Sequence, residues 1–273
     1  MHYDHKKIRL KAALTAVKRI VMGYAEHIHK VKLYFSISLL ICKLKWHIKY
    51  HRMVEKAEAY MLKTNIRKYD IFKLYYWHNA ELVGKYGLPQ LKPTQAIPLK
   101  VISFNERKGI KCPENYWVDF FIDDALFEGF WNHPEMSFNN LKRFAGVITP
   151  DYSMLPEMLP AQKIWNCTRN RVMAYYLQQN GFNIIPVASW CEENDFKWCF
   201  DGLPEGSSIA ISTNGCLSSP YSHKILLRGV KELYRQKSPM HLIVCGRHMQ
   251  ELDKFPNVVY YPSFSQRWKE RTA

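Results

Sequence analysis

From Leu10 onward, apolar residues recur at Leu10, Leu14, Val17, Val21, Tyr24, Ile28, Val31 and Phe35, alternately four and three apart. Heptads of this kind predict a helix with a single apolar seam, against which only Gly23 stands. A second phase at Trp46, Tyr50, Met53, Ala57 and Tyr60 predicts another helix, with Ser36–Ser38 as the bend or stutter between the two. A third helix is expected from Asp70 as N-cap to Gly84 as its stop.

Beyond Pro98 the texture changes to short apolar runs: Leu99–Phe104, Trp117–Ile122, Gly146–Thr149, Asn183–Ala188, Ser208–Ile211, His241–Val244 and Val258–Tyr261. Runs this continuous are buried on both faces, which is the condition of a parallel strand covered by helices. The helices expected between them are Ala125–Trp131 with Phe138–Phe144, then Ala161–Asn180 stopping at Gly181, and Ser222–Gln236. The predicted fold is α/β: a mainly parallel sheet in residues 88–273, forming a small or incomplete (β/α) barrel or an open doubly wound sheet. A basic helical arm or hairpin, residues 1–87, precedes it.

Composition sharpens that division. Of 39 Lys/Arg and 24 Asp/Glu, residues 1–95 hold 19 and 6, so nearly all of the net charge of +15 belongs to the first third. Seven of the 11 histidines lie there too, whereas all 14 prolines begin at Pro89. Lys11, Lys18, Arg19, Lys30, Lys32, Lys45, Lys49 and Arg52 give the arm a basic face, with Trp46, His47, Tyr50 and His51 among them for stacking. Three roles compete for this arm: a solvated face over a seam that packs or self-associates, a binder of nucleic-acid phosphates, or a binder of an acidic membrane surface. It has no zinc finger, RNP motif or helix-turn-helix, so sequence-specific reading is unsupported.

The longest apolar run, Leu33–Cys42, is about ten residues, far below the ~20 that cross a bilayer. The start, His2 to Arg9, is unlike a signal peptide. Seven cysteines without a CxxC pair read as reduced thiols of a cytoplasmic protein.

Every predicted strand ends in a polar or aromatic residue, and in parallel α/β sheets ligands bind at that edge. The candidates are Asp123 and Asp124, Asp151 and Ser153, Ser189 and Trp190, Ser212 and Asn214, and Arg247. Asp124 and Asp151 end successive strands and could form an acid–base pair or hold a metal, although capping of a helix by Asp124 is the plainer reading. Helical geometry puts Arg169 on the arc of Trp165, Val172, Met173 and Tyr176, where a buried cation needs a carboxylate or a bound anion; Asp151, in the same β/α unit, is the expected partner, with a substrate phosphate or carboxylate as the alternative. Asn166 and Asn170 are expected on a more exposed face. Asp124, Asp151 and Arg169 are therefore the candidate catalytic residues, and Ser153, Trp190, Ser212, Asn214 and Arg247 the candidate ligand contacts.

The phosphate-loop, dinucleotide, nucleophile-elbow and HExxH signatures are absent. The acids around Cys191 and Cys199 would raise a thiol pKa, which disfavours a cysteine nucleophile. His133 and His248 stand isolated in the sequence, which disfavours zinc, and the sequence leaves the cofactor open.

Several motifs in order resemble one family. They are the runs Trp117–Asp124, Ile148–Ser153, Gln162–Asn166 with Arg169–Arg171, Ile185–Trp190 and Phe200–Ser207, and together they resemble domain-of-unknown-function family 4417 over roughly residues 87–263. The resemblance implies a bacterial, intracellular protein of phage or mobile-element origin. It brings no established activity and no catalytic residues. The arm before about residue 85 stands outside the resemblance. Three functions remain open: nucleic-acid association through the arm with a nucleotide or base site at the strand ends, an enzyme acting on a small anionic substrate, or a non-catalytic assembly protein using the helix seam.

Overall fold

The computed structural model describes residues 15–17, 41, 70, 72–216 and 218–272. The chain divides into two units, 1–71 and 72–273. The seam and the basic positions of the arm fall outside the described residues, apart from Val17. Every strand among the described residues belongs to the second unit.

The helix expected up to Gly84 does not form. Leu74–Tyr76 is a single 3-10 turn, and a hairpin follows, β1 (Leu82–Val83) paired antiparallel with β2 (Leu88–Pro89). Gly84 and Gly87 adopt φ of 72° and 64°, a left-handed conformation suited to a tight turn and unsuited to a helix interior. The aromatic side chains just before the hairpin pack instead, Tyr76 stacking on Tyr176 at 4.3 Å between ring centroids.

All seven apolar runs are strands. β3 (Lys100–Ser103), β4 (Tyr116–Asp119), β5 (Gly146–Ile148) and β6 (Ile184–Ile185) form one parallel sheet in chain order. β7 (Ser208–Ser212), β8 (His241–Cys245) and β9 (Val258–Tyr261) form a second, also parallel. A bridge from Val187 to Ala210 joins the two, with Ala188 N–H donating to Ala210 O at 2.9 Å and Ala210 N–H to Pro186 O at 2.8 Å.

The alternation of side chains explains why the runs read as continuously apolar. One face contributes Val101, Trp117, Ile148, Ile185, Val187, Ala210, Ile243 and Cys245 to a shared interior, with Val259 beside them. Residues from both the first and the last parallel strand thus meet in one core, so the sheet curls into an incomplete barrel. The opposite faces, Ile102, Val118 and Val147 on one side and Ile209, Leu242 and Val244 on the other, bury against helices. β3 and β9 do not pair; the Tyr261 hydroxyl instead donates to Pro98 O across the gap.

The helices fall close to expectation: α1 (Glu128–Asn132), α2 (Glu135–Leu141), α3 (Pro160–Gln179) and α4 (Pro220–Lys237). Pro160 starts α3, and Gly181 at φ 79° ends it, its N–H donating to Gln178 O. Ser219 caps α4 by accepting from Ser222 N–H at 3.1 Å. A further helix, α5 (Phe264–Thr272), follows β9, where the apolar pattern predicts none. No helix among the described residues is long and apolar enough to cross a membrane.

Candidate functional site

At the C-terminal ends of the strands, β5 delivers Asp151 and β6 delivers Ser189. The Ser189 hydroxyl donates to the Asp151 carboxylate. Asp151 is densely surrounded by protein yet keeps part of its surface open to solvent, as a group recessed at a barrel mouth does. Desolvation pushes its pKa up to about 7; the Ser189 hydrogen bond opposes this, the Asp124 charge adds to it, and the Arg171 charge opposes it. Such a group exchanges protons near neutrality.

Asp124 lies beyond the end of β4 and reaches the next loop, accepting from Ser153 N–H at 3.1 Å and from the Ser153 hydroxyl at 3.0 Å. Burial raises its pKa, while the Ser153 bonds and the Arg169 charge oppose that rise. The capping role falls to Asp123, whose carboxylate accepts from Ala125 N–H at 2.9 Å. β4 ends at Asp119, so Asp123 and Asp124 both lie beyond the strand.

The structure corrects the partner of Arg169. Its guanidinium pairs with Glu128 of α1, lies 3.6 Å from the Tyr152 ring centroid and faces Trp131. Among the described residues the cation near Asp151 is Arg171, which is itself committed to three carbonyls: Asp201 O at 2.9 Å, Val187 O at 2.9 Å and Cys199 O at 2.7 Å. Neither arginine presents a free fork at Asp151, so the mouth around that residue is acidic.

Asn166 and Asn170 are also corrected, because both are buried. Asn170 Oδ1 accepts from Tyr152 N–H at 2.7 Å, and Asn166 Nδ2 donates to Ser153 O at 2.6 Å. Lys163 on the same helix pairs with Glu192 at 2.8 Å. α3 therefore turns a polar stripe inward, and that stripe fastens the loops after β5 and β6. Its sequence signal was polar residues at Lys163, Asn166 and Asn170, three and four apart, in line with the buried Cys167 and Ala174.

The remaining candidates divide. Asn214 Nδ2 donates to Phe121 O at 3.3 Å, bringing the loop after β7 to the loop after β4 across the mouth, and the Ser212 hydroxyl accepts from Asn214 N–H at 3.0 Å. Cys216, on the same loop, lies within electrostatic reach of Asp151. Trp190 is held away in packing: its Nε1 donates to Ile225 O at 3.1 Å, and its ring fills the space above Gly229 of α4. Arg247 is exposed, and its carbonyl accepts from Thr213 Oγ1 at 3.2 Å. As expected, Cys191 is a poor nucleophile, its pKa pushed up to about 12 by burial and by Asp195.

A second polar group has little signature in the sequence. Ser103 and Asp119 are adjacent partners at the ends of β3 and β4, on the same face as Val101 and Trp117. The Ser103 hydroxyl donates to Asp119 Oδ1 at 3.0 Å, and Phe121 N–H donates to the same oxygen at 3.0 Å. Burial pushes Asp119 up to about 6, against the pull of Arg267. The only sequence signal was an acid inside an apolar run.

Comparison with known proteins places this chain in a family. The chain is 32% identical over 208 residues to "Gene 1 protein" of Mycobacterium phage L5, covering 75% of this chain and 90% of that protein. It is 29% identical over 222 residues to "Gene 1 protein" of Mycobacterium phage D29, covering 80% and 81%. No solved structure matches. Residues 80–262, which include every strand of the barrel and both acidic groups at its mouth, match Domain of unknown function (DUF4417), and the chain belongs to that family.

Proposed function

We propose that this phage-type protein is nucleic-acid-associated: the basic first third holds phosphates, and the barrel mouth accepts a base or nucleotide edge rich in N–H donors. The observation that carries the reading is the charge division, 19 Lys/Arg against 6 Asp/Glu in residues 1–95. Lys11, Lys18, Arg19, Lys30, Lys32, Lys45, Lys49 and Arg52 would displace counterions from a phosphate backbone, which makes affinity fall steeply with salt. The mouth supports the second half, since Asp124 and Asp151 are acceptors to which no arginine among the described residues is bound. Fluorescence polarisation with single-stranded and duplex oligonucleotides, across a salt series, tests this. Affinity should drop on Lys→Glu exchange at positions 11, 18, 30 and 32; salt-independent or absent binding overturns it.

A second reading is an enzyme that uses Asp151 as the proton-exchanging group on a small polar substrate, with Asp124 beside it. It is favoured by the recessed setting of Asp151, its pKa near 7 and its bond to Ser189. With Arg169 engaged by Glu128, an anionic substrate is less well served than a neutral or cationic one. Asp151→Asn should then abolish turnover while leaving oligonucleotide affinity intact.

A further inference from the structure

α5 does more than follow the last strand. Its Arg267 is buried, and its Nη2 donates to Glu106 Oε2 at 2.8 Å and to the Ser103 hydroxyl at 2.8 Å, with Asp119 Oδ2 at 3.9 Å. Arg271, one turn further on and half exposed, donates to Glu106 Oε1 at 2.9 Å. Glu106 in turn accepts from Ser103 N–H at 3.0 Å. A buried carboxylate, a half-buried one and a buried hydroxyl thus form a recess for a guanidinium, between two strands, β3 and β9, that do not pair.

Three further observations bear on this recess. Arg267 Nε is buried without a hydrogen-bond partner, so the guanidinium fills the recess without satisfying all of its own donors. Glu106 and Asp119 lie inside the family-matched span, whereas Arg267 and Arg271 lie beyond residue 262 where it ends. Cys245, at the end of β8, is buried and within electrostatic reach of both Asp119 and Arg267.

We propose that α5 is a releasable strap: Arg267 occupies a cation-binding recess formed by Ser103, Glu106 and Asp119, and a ligand bearing a guanidinium group can take its place. Asp119 is buried and Glu106 half-buried beside it, and carboxylates so placed are held by a cation, because an unpaired charge shielded from water is strongly disfavoured. When the strap lifts, the end of β8 is uncovered and the Cys245 thiol becomes accessible. Displacement of an arginine by an arginine-like group exchanges one set of charge-assisted bonds for another, so the equilibrium can be set by ligand concentration.

The test is alkylation of the full-length chain by iodoacetamide, read peptide by peptide, with buried Cys199 as the internal measure of global unfolding. Arg271→Ala, which leaves no buried charge behind, should speed labelling of Cys245 relative to Cys199. Arg267→Met should speed it by roughly tenfold or more, the opening that loss of a charge-assisted hydrogen bond produces. In the parent chain, millimolar guanidinium, well below denaturing strength, should displace Arg267 and speed labelling of Cys245 relative to Cys199, and tetramethylammonium should not. Cys245 labelling as slowly as Cys199 in Arg271→Ala would overturn the strap, whether or not Arg267→Met folds. Equal acceleration by both cations, or by neither, would overturn the guanidinium recess.

Discussion

Ser189 and Asp151, at the ends of neighbouring parallel strands, are joined by a hydroxyl–carboxylate hydrogen bond that the opened-out sequence separates by 38 residues. The bond holds a carboxylate whose pKa is pushed up to about 7 at the barrel mouth. Because the folded value lies above the unfolded one, the folded protein binds a proton that the unfolded chain has already released. Stability contributed at this site is present at low pH and declines as pH rises from about 4 through about 7.

Asp151→Asn should remove that decline. Chemical denaturation at a series of pH values should find the variant gaining on the parent between about pH 4 and 7 and level above it. Asp119, pushed up to about 6, acts in the same direction and remains as a smaller slope in the variant. A stability difference that stays flat over this range would show that Asp151 is not held protonated by its surroundings.

Asn170→Ala removes the acceptor for the buried Tyr152 N–H. The expected loss is ~1–3 kcal/mol, the cost of an unsatisfied buried donor. Gln179→Ala, at an exposed position on the same helix, should change stability by less than ~0.5 kcal/mol. Equal effects at the two sites in urea titrations would mean that the clamp on the loop after β5 contributes nothing.

Arg171→Met leaves three carbonyls, of Val187, Cys199 and Asp201, without their donor. A loss on the order of 3 kcal/mol or more is expected, from several unsatisfied acceptors at once. Hydrogen exchange should localise it to the loops after β6 and around residue 200; a purely global effect, with no local increase there, would argue against the three-carbonyl role.

Gly229→Ala should destabilise α4, although alanine is ordinarily about 1 kcal/mol better than glycine inside a helix. A Cβ at that position would lie 2.1 Å from the Trp190 ring, so overpacking of ~1–3 kcal/mol reverses the usual sign. In a Trp190→Ala background the same change should become favourable. If the penalty persists there, the close approach to Trp190 is not its cause.

The strands were legible because they rest on local pattern. Val101, Trp117 and Ile243 face the barrel interior while Ile102, Val118 and Leu242 face helices, so each run had to be apolar throughout. Asp151 was legible as the polar residue terminating such a run. Arg169 was legible as a buried cation needing a partner, but Glu128 stands 41 residues away on a separate short helix, and periodicity carries no information about that distance. Asn166 and Asn170 were misplaced because polar residues on a helix usually mark its wet face, whereas here they serve backbone groups of buried loops.

What the sequence determined alone is the alternation of seven apolar strands with amphipathic or capped helices, and the segregation of positive charge into the first third. These follow from burial and from composition, which are properties of short stretches. Which ion pairs form was decided only by tertiary structure. Arg267 meets Glu106 across 161 residues, Arg169 turns to Glu128, and Ser189 reaches Asp151, because curling the sheet brings together strand ends that no local preference relates. A buried charge takes the partner that the fold places beside it, and the partner's place along the chain has no energy of its own.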